Sequence, residues 1–250
     1  MVMSLHGARV YRGRKRLLGS ASVDLASRGV TAVVGPNGSG KSTLLRLMHG
    51  LERLSGGEME WHDKIAPRDQ AFLFQTPQHL RRTVQENLAF PLKLRRRSKT
   101  LIKTKVSEAA HRFGLTPLLA QFAYDLSGGE QQRLALARAM ITGPKLLFMD
   151  EPSANLDRIS TQLIKDTVIS AAKQGTRVFI ASHSMAQVRR LADDVVFVDK
   201  GKCYGPFTTE QFIAYPTPKA AKEWLGDLDG HAAEPQNEPQ PEPTGSASCD

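Results

Sequence analysis

Two short segments of the 250-residue chain contain residue types suited to binding phosphate and metal. The first, residues 35–42, reads GPNGSGKS and fits the pattern G-x-x-x-x-G-K-[ST] between a strand and a helix. Its glycines let the backbone curl until successive N–H groups point at phosphate oxygens, and the helix N-terminus adds partial positive charge. The segment therefore predicts a nucleotide site; the alternative is an ordinary glycine-rich turn.

Individual residues of this phosphate loop have distinct expected roles. Lys41 is expected to reach the β- and γ-phosphates and to act in catalysis, while the Ser42 hydroxyl can ligate Mg²⁺. The other predicted nucleotide contacts of the loop are Gly35, Pro36, Asn37, Gly38, Ser39, Gly40 and Thr43.

The second segment, residues 146–151, is an apolar run that ends in two carboxylates, LLFMDE. Ligands of parallel sheets bind beyond the carboxyl ends of the strands, so both acids should project toward the phosphate loop. Asp150 is then placed to hold Mg²⁺ through water, and Glu151 to polarise the attacking water as a general base. Taken alone, the two acids are also compatible with a solvated turn.

A third segment, residues 126–133 with the sequence LSGGEQQR, supports two interpretations. Ser127 and Glu130 fit the S-x-x-E capping box, which needs no ligand. Gly128 and Gly129 leave bare backbone N–H groups at a positive helix end, which suits an anion. One ATP does not need two such loops from one chain, unless the second loop serves a partner's ATP.

Together with a downstream histidine, these segments resemble the motif set of ATP-binding cassette (ABC) proteins over about residues 5–225. In that family two cassettes face each other head to tail, and each ATP lies between the phosphate loop of one and the signature motif of the other. The resemblance implies an α/β P-loop NTPase (RecA-like) core, ATP hydrolysis with ATP and Mg²⁺ as cofactors, and a homodimer in which Ser127, Gly128 and Gly129 contact the partner's nucleotide.

The resemblance assigns further positions. Gln75 is similar to the Q-loop glutamine that touches Mg²⁺ and the water, and His183 resembles the catalytic switch histidine at the γ-phosphate. Tyr11, 24 positions before the loop, stands where the family places an aromatic ring that stacks on adenine. Residues 153–157, SANLD, resemble the D-loop of the dimer interface, with Asn155 departing from the commoner SALD form.

The resemblance also indicates transport, because residues 75–94 are similar to the region of importer cassettes where a permease docks. It implies transmembrane permease subunits and an extracytoplasmic substrate-binding protein. Arg81, Arg82 and the residues after them resemble cassettes for oxyanions such as tungstate and those of some amino-acid systems. One alternative is a soluble cassette ATPase acting on nucleic acid or ribosomes, which the net charge of +9 would suit. A module that binds ATP without turnover is disfavoured by Glu151 and His183.

These residues need a scaffold, and the apolar patterning predicts an α/β fold. Short runs rich in β-branched residues predict parallel strands at residues 30–34, 146–149, 178–180 and 195–198, and a further strand is expected at 71–74, before Gln75. Helical patterns are found at residues 41–49, 130–140 and 161–173. Residues 1–25 and 58–74 are expected to form an antiparallel β edge, and residues 77–140 a helical insertion. The cassette should span residues 1–228, followed by a disordered tail rich in Pro and Glu at 229–250.

Composition narrows the class of protein. No apolar run approaches the roughly 18 residues that span a bilayer, and the N-terminus lacks a secretory signal. Cys203 and Cys249 give neither a disulfide framework nor a metal-ligand spacing. We therefore expect a peripheral protein at the cytoplasmic face of the membrane, held by its permease. The basic residues within 93–105 form either a solvated surface or a patch that attracts anionic lipid.

Overall fold

A computed structural model of the protein describes residues 2–153 and 156–231. In these ranges the chain forms strands and helices in the following order: β1 (Met3–Arg12), β2 (Lys15–Leu25), β3 (Val30–Val34), α1 (Lys41–His49), β4 (Gly56–Trp61), β5 (Gln70–Leu73), α2 (Val84–Leu94), α3 (Lys99–Arg112), α4 (Gly128–Met140), β6 (Leu146–Asp150), α5 (Arg158–Lys173), β7 (Arg177–Ala181), α6 (Met185–Leu191), β8 (Asp194–Asp199), β9 (Lys202–Thr208), α7 (Thr209–Ala214) and α8 (Lys219–His231).

The central sheet has the strand order β5-β6-β7-β3-β8-β9. Its first five strands are parallel, and β9 pairs antiparallel with β8 at one edge. The predicted α/β class and the predicted parallel strands are confirmed. Assigning all of residues 58–74 to an antiparallel layer is wrong, because β5 pairs in parallel with β6.

The antiparallel part is a separate sheet with the order β2-β1-β4. Strand residues alternate between faces, so Leu146 and Phe148 of β6 pack with α1 and this small sheet. Leu147 and Met149 face the opposite side, where they pack with most of the other helices. Helix α1, which follows the phosphate loop, is thereby buried between the two sheets.

The chain between β5 and β6 is helical, as predicted for residues 77–140, and consists mainly of α2, α3 and α4. Both α2 and α4 begin with complete capping boxes, at Thr83 and Ser127. Pro91 lies inside α2. This insertion brings the residues around Ser127 to the surface of the molecule.

Helix α8 continues to His231, three residues into the segment predicted as tail, and residues 232–250 lie outside the described part of the chain. Among the described helices, none has both the length and the apolar character needed to cross a membrane.

Candidate functional site

The phosphate loop has positive φ at its three glycines, Gly35, Gly38 and Gly40. Gly35 has φ 141°, and a Cβ there would lie 2.1 Å from the carbonyl oxygen of Val198. Gly40, the N-cap of α1, has φ 116°. The turn between β8 and β9 braces the loop, because the Gly201 N–H donates to the Ser39 carbonyl at 2.8 Å. The loop shape is therefore imposed by its neighbours as well as by its sequence.

Lys41 is folded over this loop. Its ammonium donates to the carbonyl oxygens of Gly35 at 3.0 Å and Pro36 at 3.1 Å, and the side chain is only 5% exposed. Nζ lies 3.7 Å from a carboxylate oxygen of Glu151. Burial lowers the pKa of Lys41, and the nearby Glu151 and Asp150 charges oppose that shift. Lys41 is thus a buried cation that contacts two backbone carbonyls of the loop and faces the Glu151 carboxylate.

Asp150 presents a buried oxygen beside a hydroxyl. The Ser42 hydroxyl donates to Oδ1 at 2.7 Å, and Arg46 Nη2 lies 3.6 Å from Oδ2. Asp150 is 1% exposed, and no described residue donates a hydrogen bond to Oδ2. Burial raises the pKa of Asp150, opposed by the Ser42 hydrogen bond and the Arg46 charge. A carboxylate oxygen without a donor next to a hydroxyl fits the ligand preference of Mg²⁺.

Glu151 is the point where the predicted catalytic residues meet. Its carboxylate accepts a hydrogen bond from Gln75 Nε2 at 3.2 Å and lies 3.6 Å from His183 Nδ1. Its backbone has φ 45°, and its N–H donates to the Ala181 carbonyl of β7 at 3.1 Å. A positive φ is uncommon outside glycine and is typical of functional sites. Lys41, Gln75, Glu151 and His183 therefore come from four separate segments to one place.

The predicted signature motif has both features that the sequence left open. The Ser127 N–H donates to Glu130 Oε2 at 2.9 Å, and the Glu130 N–H donates to the Ser127 hydroxyl at 3.4 Å, so the capping box is formed. The Ser127 hydroxyl also donates to Glu130 Oε2 at 2.7 Å. Gly128 is exposed, and a Cβ there would meet nothing within 4 Å. A Cβ on Gly129 would lie 2.6 Å from Asp157 Oδ2. None of the hydrogen bonds or ion pairs among described residues joins Ser127, Gly128 or Gly129 to the phosphate loop.

The remaining predicted positions are Tyr11 and the D-loop. Tyr11 is 46% exposed on β1, and the adjacent Val10 pairs with Leu18, a residue that approaches Gly40. In the predicted D-loop, Ser153 donates to Gln187 Oε1 at 3.3 Å and Asp157 caps α5. Residues 154 and 155, including the atypical asparagine, lie outside the described part of the chain.

Two residues that organise the site were not predicted. Arg46 faces Asp150 from α1, one helical turn beyond Ser42, which is the i, i+4 spacing that could have revealed it. Asn87 is fully buried in α2; its side-chain NH₂ donates to the carbonyls of Leu80 and Arg82, and its Oδ1 accepts from Arg138. A polar residue on the apolar face of a helix was the available signal.

A cleft of about 1070 Å³ lies between the β5 edge of the sheet and the helical insertion. Its lining includes Arg68, Arg95, Arg96, Arg97 and Arg138. The basic stretch at residues 93–105 is therefore not a uniform patch: Arg95 donates to the Thr142 carbonyl at 3.0 Å and to the Arg68 carbonyl. Lys105 pairs with Glu108 at 2.8 Å.

Comparison with known proteins agrees with this arrangement. The family model described as ABC transporter matches residues 18–154. The tungstate uptake system ATP-binding protein TupC of Peptoclostridium acidaminophilum is 37% identical over 194 residues, covering 76% of this chain and 91% of that protein. The glutamate transport ATP-binding protein GluA of Corynebacterium glutamicum is 30% identical over 244 residues, covering 92% and 100%.

The molybdenum import ATP-binding protein ModC of Rhodobacter capsulatus is 38% identical over 208 residues, covering 76% of this chain and 56% of that protein. Among solved structures, a dimeric post-hydrolysis state of an ATP-binding cassette bound to ADP and Pi superposes with a TM-score of 0.74 at 23% identity, covering 83% of this chain and 98% of that one. The structural similarity establishes the fold.

Proposed function

The chain belongs to the ABC transporter family, and on that premise we propose that it binds and hydrolyses ATP to energise import through a separate membrane permease. One observation supports this most strongly. The Glu151 carboxylate is surrounded by Lys41, Gln75 and His183, at the end of a strand facing the phosphate loop. A protein that only held ATP would not need a base supported in this way.

ATP binding uses contacts that the loop already prepares. Lys41 exchanges the carbonyls of Gly35 and Pro36 for the β- and γ-phosphates, which are stronger acceptors because they are charged. The backbone N–H groups from Gly38 to Thr43 and the start of α1 surround the phosphate oxygens. The exposed ring of Tyr11 is our candidate for stacking on adenine.

Mg²⁺ is part of this proposal. Asp150 Oδ2, the Ser42 hydroxyl and the Gln75 side chain are the residues that would hold it. When bound, the ion neutralises charge that develops on the β- and γ-phosphate oxygens. Arg46 remains beside Asp150, where its charge, like the Ser42 hydrogen bond, opposes the rise that burial imposes on the pKa of Asp150.

Hydrolysis follows from the position of Glu151. Its carboxylate accepts a proton from a water molecule whose oxygen attacks the γ-phosphorus; the bond to the bridging oxygen breaks, and ADP and inorganic phosphate result. Gln75 and His183, both at Glu151, position the water and the γ-phosphate. General-base catalysis of this kind is worth roughly 10²–10⁴-fold in rate.

The proposal includes a homodimer. Ser127 and Gly128 are exposed donors that do not meet the phosphate loop of their own chain. In a head-to-tail pair with two-fold symmetry, the loop of one copy faces the Ser127 region of the other, and both sites are completed at once. ATP is then held between two subunits, and its hydrolysis separates them.

The permease and the substrate are the final elements of the proposal. The cleft lined by Arg68, Arg96 and Arg97 adjoins Gln78 and His79, which follow Gln75, so a permease segment seated there would be connected to the catalytic centre. This contact would hold the protein at the cytoplasmic face of the membrane. The similarity to the tungstate and molybdenum proteins supports an oxyanion substrate, delivered by an extracytoplasmic binding protein.

The test is ATP hydrolysis by the full chain, alone and with its permease, in wild type and in Glu151→Gln. We expect the variant to bind ATP, to lose hydrolysis by about 100-fold or more, and to accumulate as an ATP-bound dimer on size exclusion. Glu108→Gln, which removes an exposed carboxylate on α3, should leave all three measurements unchanged. Near-normal hydrolysis by Glu151→Gln would exclude Glu151 as the base, and a wild type inactive in both settings would overturn the function.

A further inference from the structure

A pocket of about 280 Å³ lies beside the catalytic centre. Glu151 and His183 form part of its wall, but no phosphate-loop residue does. The remaining wall comes from the start of the D-loop, from α5 and from the segment that joins β7 to α6. At about 30 Å³ per water molecule, the pocket has room for roughly nine waters, or for a small tetrahedral anion with some of its hydration.

The wall contains hydrogen-bond donors that lack acceptors. Gln187 is 5% exposed; its Oε1 accepts from Ser182 at 2.9 Å and from Ser153 at 3.3 Å, so the orientation of its amide is fixed. The Ser184 N–H donates to the Ser182 hydroxyl at 3.1 Å, which leaves that hydroxyl's hydrogen for Gln187. Among described residues, no acceptor reaches the buried Nε2 of Gln187.

Two cations face the same space. Lys165 lies four residues after Thr161 on α5, and Arg190 lies four residues after Ala186 on α6. Residues at this spacing share a helix face, and all four line the pocket. Neither Lys165 nor Arg190 forms an ion pair with another described residue. Within the described wall, Glu151 is the single acidic residue.

We propose that this pocket receives the inorganic phosphate produced by ATP hydrolysis, on its way out of the site. Phosphate has four oxygens, most of them acceptors, and the wall offers an ammonium, a guanidinium and an amide N–H₂ that need acceptors. The inference rests on the proposed hydrolysis, since it concerns the route of the product. It assigns Lys165, Arg190 and Gln187 to product binding, separate from the phosphate loop.

Glu151 and His183 belong both to the catalytic centre and to the wall of the pocket. Phosphate that leaves the phosphate loop would therefore pass these two residues on its way to Lys165 and Arg190.

The experiment is equilibrium dialysis of radiolabelled inorganic phosphate against the full chain saturated with ADP, so that no turnover is required. We expect Lys165→Gln with Arg190→Gln to weaken phosphate binding about tenfold or more. The matched control is Lys173→Gln with Arg189→Gln, which removes two exposed cations from the same helices outside the pocket. The control should bind phosphate as wild type does.

A single-turnover measurement separates product binding from chemistry. In the double variant, quenched-flow cleavage of ATP should keep the wild-type rate, while added phosphate inhibits steady-state hydrolysis at least tenfold less effectively. Phosphate bound in the phosphate loop is indifferent to Lys165 and Arg190, so unchanged dialysis in the double variant would overturn the proposal. An equal loss in the control variant would do the same. If the wild type bound phosphate in this way but did not hydrolyse ATP, the proposed function would fail and the pocket would stand as an anion site.

Discussion

The phosphate loop and the Ser127 region are both glycine-rich helix starts, yet they are built differently. Lys41 and Ser39 are each 5% exposed and Asp150 is 1% exposed, so the loop's charged groups are buried among one another. Ser127 and Gly128 are exposed, and the acid beside them, Glu130, accepts hydrogen bonds from the N–H and the hydroxyl of Ser127. The loop is an almost complete site within one chain, and the Ser127 region is only a set of donors.

This difference indicates which of the two regions should supply ATP affinity and which should make turnover depend on dimerisation. Buried groups at the phosphate loop cost desolvation, which Lys41 and Asp150 offset through each other and through Ser42 and Arg46. The Ser127 region has no such cost, because it lies at the surface, where the Ser127 hydroxyl donates to its capping partner Glu130 until a partner subunit approaches. Affinity for ATP should therefore reside in the loop, and the dependence of turnover on dimerisation should reside at Ser127.

The largest expected effect is the loss of ATP affinity in Lys41→Ala. The variant removes the buried cation while Asp150 and Glu151 remain, so triphosphate would meet two carboxylates without compensation. We expect ATP affinity of the isolated chain to fall by about 100-fold or more, measured by calorimetry. Lys145→Ala, on the approach to β6, is the control and should bind ATP normally. Retained affinity in Lys41→Ala would break the assignment of affinity to the loop.

Ser127→Ala should leave ATP affinity intact and lower turnover by roughly 10- to 100-fold, the effect of one hydrogen bond to a charged group. The control is Thr208→Ala, because Thr208 forms a capping box with Gln211 at the start of α7. Both variants lose about 1 kcal/mol of stability through the lost cap. If both lost turnover equally, or if neither did, Ser127 would be a helix cap and nothing more.

Much of the fold could be predicted because its signals are local. The strand at residues 30–34 and the helix at residues 41–49 flank the phosphate loop, and both bounds are those of β3 and α1. The edge strand β9, KCYGPFT, contains Gly205 and Pro206, which weaken any strand pattern. The pairing of β5 with β6 depends on residues more than 70 positions apart, which no local pattern can fix.

For the site, sequence indicated which residues take part but not how they meet. Glu151 was predicted as the base, yet its φ of 45° and its contacts with Gln75 and His183 depend on β7 and on the Gln75 segment. Tyr11 is the opposite case, because the structure shows its position but not the contact that its predicted role requires. It lies near the loop through its strand partners, but its stacking role stays a prediction until adenine is present.

The two signature glycines offer a finer comparison. Gly129→Ala should destabilise the chain by about 1–3 kcal/mol, since its Cβ would meet an Asp157 oxygen already held by Ser160. Gly128→Ala meets nothing and should keep or slightly raise stability, but it adds a methyl group where the partner's ATP is expected. Urea unfolding and ATP-dependent dimerisation measure the two effects. Equal stability of both variants, or normal dimerisation of Gly128→Ala, would contradict this distinction.

The smallest expected effect is on the pH dependence of stability and comes from His79, which lines the cleft between the β5 edge of the sheet and the helical insertion. Its ring nitrogens are buried, and burial, followed by the Arg138 charge, lowers the pKa of His79 to about 4, opposed by a contact with the Gln131 backbone. The folded chain then binds fewer protons than the unfolded chain between pH 4 and about 6.5, so stability is lost as pH falls through that window. His79→Leu should reduce the difference in unfolding free energy between pH 7 and pH 5 by on the order of 1 kcal/mol, whereas His111→Gln, at an exposed position on α3, should keep it. An unchanged pH dependence in His79→Leu would show that the cleft between core and insertion is open to water, and that the two half-sites are less rigidly connected than the packing indicates.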